Sequence, residues 1–275
     1  MIYDKSAPKA KPILKWAGGK TQLLEYIYPR IPGQYGRYIE PFFGGGALFF
    51  SLAPEHSLVS DSNPELINLY TELASNPEQV LEALSAFHNS KEEYYRIRSN
   101  NWVNLPPYQA AARTIFLNKT CFNGLYRVNR SGQFNVPYGA EGRQVNFDYV
   151  GIKNAAALLS RASIFCMDYH ELVLEYAKPG DFVFLDPPYV PISEYSDFKR
   201  YTKEQFSLDD QRQLARDVDI LTQRGCYVML TNSNHPLVHE LYGRYRIEVF
   251  QTKRMISKNA QTRTGEDVIV TTYDF

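Results

Sequence analysis

Among 275 residues, 30 basic side chains balance 30 acidic ones, so the formal charge is zero and a uniformly cationic surface is excluded. The length suits one large core, or a core domain with a smaller insert, and 44% hydrophobic with 22% charged residues is the composition of a soluble globular chain. The basic amino end lacks the apolar core of a secretory signal and no apolar stretch is long enough to span a bilayer, so a cytoplasmic protein without membrane contact is expected.

Charge is nevertheless clustered. Lys119, Arg127, Arg130 and Arg143 stand against Glu141 alone, and Lys253, Arg254, Lys258 and Arg263 have no acid among them. Lys5, Lys9, Lys11, Lys15 and Lys20 face only Asp4. Several such segments on one chain point to phosphate binding. Tyrosine, at 21 residues, is abundant and suits polar or nucleic-acid surfaces. Cys121, Cys166 and Cys226 form no C-x-x-C, and the apolar runs around Cys166 and Cys226 predict core thiols in a reducing compartment. His235 and His239 have helical spacing but no third ligand, so no metal is expected.

In chain order, Lys15-Trp16-Ala17-Gly18-Gly19-Lys20 precedes an amphipathic run to Tyr28, and paired glycines there expose backbone N–H groups suited to an anion or carboxylate. Trp16 can cover a planar ligand or plug the core. Tyr38 to Glu40 reads as a strand, Pro41-Phe42-Phe43-Gly44-Gly45-Gly46 as a turn, Ala47 to Leu52 as a helix, and Leu58 to Ser60 as a strand ending in Asp61. This order is how α/β proteins bind an adenosine: the turn, with Phe42 and Gly44, approaches the ligand and the acid takes the ribose hydroxyls. Phe49 stands where a dinucleotide fingerprint wants glycine, so the fit to NAD is poor.

Helical periodicity runs from Pro64 to about Arg98, and again from about Tyr108 to Cys121. Phe122 to Gly139 is rich in Asn, Gly, Arg and aromatics without a core period, so a functional loop or hairpin is expected. Its Asn123, Arg127 and Asn129 can pair with base edges, and its aromatic or Leu side chains can wedge between bases. A helix around Asn154 to Arg161 leads to the strand Ser163 to Met167, whose end carries Asp168, either an acceptor for an adenine amine or the cap of the next helix. Ser207 to Arg224 is a capped helix closed by Gly225, then Tyr227 to Leu230 is a strand. Arg246 to Phe250 and Asp267 to Tyr273 read as a closing antiparallel pair, flanking a basic arm, Lys253 to Gly265, expected to order only on a partner.

The chemistry concentrates at Asp186-Pro187-Pro188-Tyr189. The apolar strand Phe182 to Leu185 cannot continue through the prolines, so a carboxylate, stiff carbonyls and a ring are left at a carboxyl sheet edge. With few donors nearby, the Asp186 carboxylate and the Pro187 carbonyl suit the two N–H bonds of an exocyclic amine, and Tyr189 can stack on its base. A plain strand end with Asp186 as a helix cap is the alternative.

Taken together, Lys15 to Lys20, Glu40 to Phe50, Asp61 to Tyr70, Phe122 to Gly139, Phe184 to Tyr201 and Val268 to Tyr273 resemble the Dam/DpnM family of DNA adenine-N6 methyltransferases. That resemblance implies a Rossmann-like α/β methyltransferase sheet, mostly parallel with a C-terminal antiparallel strand, over 1–61 and 148–275. It also implies an inserted, mainly helical recognition subdomain with a hairpin over 62–147. S-adenosylmethionine is the implied donor, lined by Trp16, Lys20, Asp61, Asp168 and Asp186, and Asp186, Pro187, Pro188 and Tyr189 would hold a flipped adenine. Lys15, Phe122, Asn123, Leu125, Arg127 and Pro137 fall where the family contacts or wedges duplex DNA, with GATC the implied site. Tyr195 and Lys199 stand where relatives often have threonine. A monomer, with or without a partner restriction endonuclease, is expected. The rival readings are a catalytically silent DNA-binding regulator, or a methyltransferase for RNA or cytosine N4.

Overall fold

Seven runs rich in β-branched and aromatic residues pair into one sheet: β1 (Tyr38–Glu40), β2 (Ser57–Asp61), β3 (Ala162–Cys166), β4 (Phe182–Leu185), β5 (Tyr227–Ser233), β6 (Arg246–Lys253) and β7 (Thr264–Thr271). This is a computed structural model, describing residues 10–16, 18, 20–129, 131–142, 145–191, 206–253 and 264–275. Arg130, Arg143, Tyr195, Lys199, the lysines up to Lys9 and the basic arm from 254 to 263 lie outside the described residues.

The strand order is β3-β2-β1-β4-β5-β7-β6. Pairing is parallel from β3 through to β5, and β7 lies antiparallel between β5 and β6. The ten helices of the described residues are α1 (Leu24–Ile27), α2 (Ala47–Leu52), α3 (Pro64–Ser75), α4 (Pro77–Ser85), α5 (Lys91–Ser99), α6 (Pro107–Thr120), α7 (Tyr149–Leu159), α8 (Tyr169–Tyr176), α9 (Leu208–Gln223) and α10 (Pro236–Tyr242). The result is the expected Rossmann-like arrangement, with helices on both faces of a mostly parallel sheet.

Both faces are dry because side chains alternate along each central strand. Phe182, Phe184 and Met229 join one core with residues of α2, α3 and α7, while Val183, Leu185, Val228 and Leu230 join the other with α8, α9 and α10. The first core continues without interruption into α4, α5 and α6 through Val80, Leu84, Tyr94 and Phe116. Local chemistry sets the boundaries. Asn63 accepts from the N–H groups of Glu65 and Leu66 and Pro64 opens α3, whereas Ser207 and Asp210 form a capping box on α9. Gly225, at φ +88, carries the chain out of α9.

Two sequence readings need correction. Cys166 is exposed, because β3 is the margin of the sheet and is only partly covered throughout. The segment Phe122 to Gly139 does have a core period: Tyr126, Val128, Phe134 and Val136 are buried, at alternate positions of two facing strands. Only two turns of that alternation fall on each side of the polar tip, so it is hidden in the sequence.

Candidate active site

In this strand order the direction of winding reverses between β1 and β4, whose pairing ends at Ile39 and Val183, and it is beyond the carboxyl ends of such strands that α/β proteins bind ligands. Glu40 and the glycine turn leave β1 on one side of this reversal, and Asp186-Pro187-Pro188-Tyr189 leaves β4 on the other.

Asp186 falls one place beyond the last β4–β5 pair, Leu185 with Leu230, which sets it beside Thr231. The Thr231 hydroxyl donates to Asp186 Oδ1 at 2.8 Å, and Lys20 Nζ lies 2.6 Å from the same oxygen. Asp186 therefore has more donors around it than the prolines alone suggest. Burial pushes its carboxyl above the usual range, and the Lys20 ammonium pulls in the opposite direction. Lys20 Nζ also donates to the Gly18 carbonyl and lies 4.5 Å from the Tyr189 ring centroid.

The turn beyond Asp186 is pinned from β5 and α9. Gln211 Nε2 donates to the Pro188 carbonyl at 2.8 Å, Asn232 Oδ1 accepts from Val190 N–H, and Ser233 Oγ donates to the Val190 carbonyl. Among the described residues, none donates to the Pro187 carbonyl. The same reversal also brings in Glu40, whose carboxyl accepts from the Tyr38 hydroxyl at 2.7 Å and is raised by burial to about 8.

Near the glycine turn, Asp61 ends β2 and its two oxygens accept from the N–H groups of Gly44 and Asn63, each at 2.9 Å. Burial raises its carboxyl despite these bonds. Trp16 packs over the glycine turn: a Cβ at Gly44 or Gly45 would lie 2.9 Å from it, so glycine is needed there for the indole. The same indole stacks on Tyr126, at 4.8 Å between centroids. Phe42 stacks on Tyr169 at 4.8 Å. Asp168 caps α8 by accepting from His170 N–H through Oδ1, which is the local reading of that residue. Its side chain is nonetheless exposed at the same sheet margin.

The hairpin rises beside this lead. Asn118, fully buried, accepts from Lys15 N–H and donates to the carbonyls of Lys15 and Gly124. Asn123 and Gly124 both adopt left-handed backbone, at φ +56 and +65, and a Cβ at Gly124 would meet Lys15 Cδ at 2.5 Å. Phe122 is 52% exposed, Lys15 and Pro137 are exposed, and Leu125 is half-buried. Arg127 is exposed and reaches across to Asn135, with Nε 2.8 Å from Oδ1. Asn129 closes the tip: its Oδ1 accepts from Ser131 and Gln133 N–H.

A family profile described as D12 class N6 adenine-specific DNA methyltransferase matches residues 16–256. The chain belongs to that D12 class. It is 41% identical over 281 residues to a type II methyltransferase of Lactococcus lactis subsp. cremoris, covering 99% of both chains. It is 39% identical over 277 residues to a type II methyltransferase of Methanocaldococcus jannaschii, covering 93% of this chain and 96% of that one. The DNA adenine methylase of Escherichia coli strain K12 is 31% identical over 270 residues, with 96% of each chain covered. The D12-class protein is thus a DNA adenine methyltransferase, as the motif order implied. Among its described residues no helix is long and apolar enough to cross a membrane, and no group of His, Cys, Asp and Glu could hold a metal ion.

Sequence reasoning missed several residues of this methyltransferase's candidate site and hairpin: Thr231, Gln211, Asn118 and the buried pair Glu65–Arg113. Each acts across the fold rather than along the chain. Glu65 Oε1 accepts from Arg113 Nη1 at 2.7 Å and from the Thr114 hydroxyl at 3.0 Å, and its Oε2 accepts from the Tyr126 hydroxyl at 2.8 Å. A signal existed, since Glu65 and Arg113 are charged residues on otherwise apolar helix faces, where an unpaired charge would be costly.

Proposed function

We propose that this D12-class enzyme methylates N6 of an adenine flipped out of duplex DNA, within GATC, using S-adenosylmethionine. The observation that carries the reading is Asp186 just beyond β4 at the winding reversal of the sheet, with Thr231 and Lys20 on its Oδ1, followed by a Pro187 carbonyl to which none of the described residues donates. An exocyclic amine has two N–H bonds and a lone pair delocalised into its ring. Accepting both bonds at Asp186 and Pro187 draws the lone pair back onto nitrogen, which favours the transition state over the ground state. Tyr189 would stack on the base, and Lys20, 2.6 Å from Asp186, favours its ionised form until the amine replaces it.

The residues present fit the donor. Asp61 and Asp168, at adjacent strand ends, offer carboxylate oxygens for ribose hydroxyls and an adenine amine. Phe42, stacked on Tyr169, would contribute an aromatic surface, and Trp16 and Lys20 would complete the site. When bound, S-adenosylmethionine supplies an electrophilic methyl group with a positively charged leaving group, so the protein's task is positioning. Lys15, Phe122, Asn123, Leu125, Arg127, Asn129 and Pro137 would meet the duplex, reading bases in the major groove and filling the gap left by the adenine. We assign catalysis to residues 1–61 and 148–275 and target recognition to 62–147. The type II names of two relatives favour a partner restriction endonuclease. We take the enzyme to act as a cytoplasmic monomer.

Labelled methyl transfer to duplex DNA, structured RNA and protein, followed by restriction mapping, tests this reading. Label confined to duplex adenine, with protection at GATC, is the expected result. Label on RNA or on cytosine would overturn the substrate, and adenine label protecting a different sequence would overturn the site.

A further inference from the structure

The hairpin's outward atoms are held by something beneath them. Tyr126 precedes Arg127 on the first strand of the hairpin and points the opposite way, into the protein. Its ring stacks on Trp16, and Trp16 in turn packs on Gly44 and Gly45. Its hydroxyl donates to Glu65, whose N–H is accepted by Asn63. Asn63 N–H is bonded by Asp61, and Asp61 accepts from Gly44 N–H. These contacts close a ring, running from the glycine turn through the indole to Tyr126 and back through Glu65 and Asp61.

We propose that Tyr126 is a positioning residue for target choice: its hydroxyl bond to Glu65 fixes the height and twist of the strand that presents Leu125 and Arg127 to the bases. Burial and the Glu65 carboxylate both keep this hydroxyl protonated, so it remains a donor at any working pH. Glu65 is itself held, because Arg113 and Thr114 bond its other oxygen and Arg113 is tied to the carbonyls of Ile97 and Arg98. The opposite strand of the hairpin has its own anchor, the Tyr94 hydroxyl on the Val136 carbonyl at 2.7 Å. Arg127 bridges the two strands through Asn135, so a shift of the Tyr126 strand alone changes where its guanidinium points. Bidentate base reading has a narrow angular tolerance, whereas phosphate contacts are forgiving.

The inference rests on the hairpin reading proposed above, and the experiment separates the two. Discrimination is measured as the ratio of kcat/KM on the cognate duplex to that on a duplex altered at one base, and as the ratio of duplex affinities of donor-free protein. Wild type, Tyr126→Phe, Arg127→Ala and the double variant are compared. Tyr126→Phe keeps the ring and its stacking, and losing one buried hydrogen bond should lower discrimination roughly fivefold to thirtyfold. Its effect should appear in KM for the cognate duplex, with kcat held. In the Arg127→Ala background the same substitution should change discrimination little, because it acts through Arg127.

Unchanged discrimination in Tyr126→Phe, or a loss that adds in full to that of Arg127→Ala, would overturn the proposal. So would a fall in kcat with discrimination intact. If Arg127→Ala leaves discrimination unaltered, the assignment of Arg127 as a base reader fails, and the Tyr126→Phe ratio alone then decides whether the anchored strand governs choice. Should Tyr126→Phe fold poorly, Glu65→Gln weakens the same bond from its other end, and it should lower discrimination in the same direction. A Glu65→Gln protein that folds and discriminates like wild type would contradict the proposal equally.

Discussion

At the Asp186–Tyr189 turn, Thr231, Asn232 and Ser233 from β5 and Gln211 from α9 hold the Asp186 carboxylate and the backbone beyond it. Along the hairpin the arrangement is inverted. Tyr126, Val128, Phe134 and Val136 are buried below, while Phe122, Arg127 and Pro137 stand exposed above. The difference fits the two tasks proposed for them. Stabilising a transition state needs acceptors that do not move as charge develops, so the reacting groups themselves are clamped. Reading a sequence needs polar groups that reach water before they reach a base, so only their supports can be clamped. Damage at the first region should cost turnover, and damage at the second should cost choice.

The largest effect is expected at Asp186. In Asp186→Asn the carboxylate charge is lost, and single-turnover methyl transfer should fall by roughly a hundredfold to a thousandfold while duplex affinity is largely kept. Near-normal transfer would break the comparison at its strongest point. Arg127→Ala should cost about 1–3 kcal/mol of discrimination between cognate and altered sites, and slow transfer on the cognate site by less. Equal losses on both duplexes would place Arg127 on phosphate and blur the two regions.

Thr231→Val removes one donor from Asp186 and should slow transfer about fivefold to tenfold. Because that donor favours the ionised carboxyl, its loss raises the Asp186 pKa further, so the acid limb of the pH–rate profile should move to higher pH. A smaller effect is expected on stability. Burial pushes the Glu40 carboxyl up to about 8 from the ordinary 4.5, so the folded state binds the proton more tightly. That stabilisation is complete below pH 4.5 and lost as pH rises through 8, and Glu40→Gln should therefore flatten the decline of Tm with pH by a few degrees. An unchanged slope would show that Glu40 stays ionised. Finally, Cys166→Ser, on the exposed sheet margin, should leave both turnover and choice unaltered.

What could be read from the chain was whatever its own neighbours determine. The prolines after Leu185, the glycines after Glu40 and the acids at the ends of β2 and β3 are local features, and the strands and turns they predict are present. The supports were not legible. Lys20 on Asp186, Thr231 on Asp186 and Tyr126 on Glu65 join residues far apart in sequence, and no spacing rule connects them. Cys166 misled for a related reason: an apolar run marks a strand, but its composition does not say whether the strand is central or marginal. Asp168 shows the limit from another direction, since capping α8 and serving an adenine amine ask for the same residue at the same place.

A crystal structure of the enzyme with a GATC duplex and a non-reactive analogue of the methyl donor tests the central claim most directly. The account predicts the target adenine outside the helix, its N6 within about 3 Å of both Asp186 Oδ1 and the Pro187 carbonyl, and Lys20 displaced from Asp186. An adenine still stacked in a fully engaged complex, with Lys20 on Asp186 as before, would contradict it.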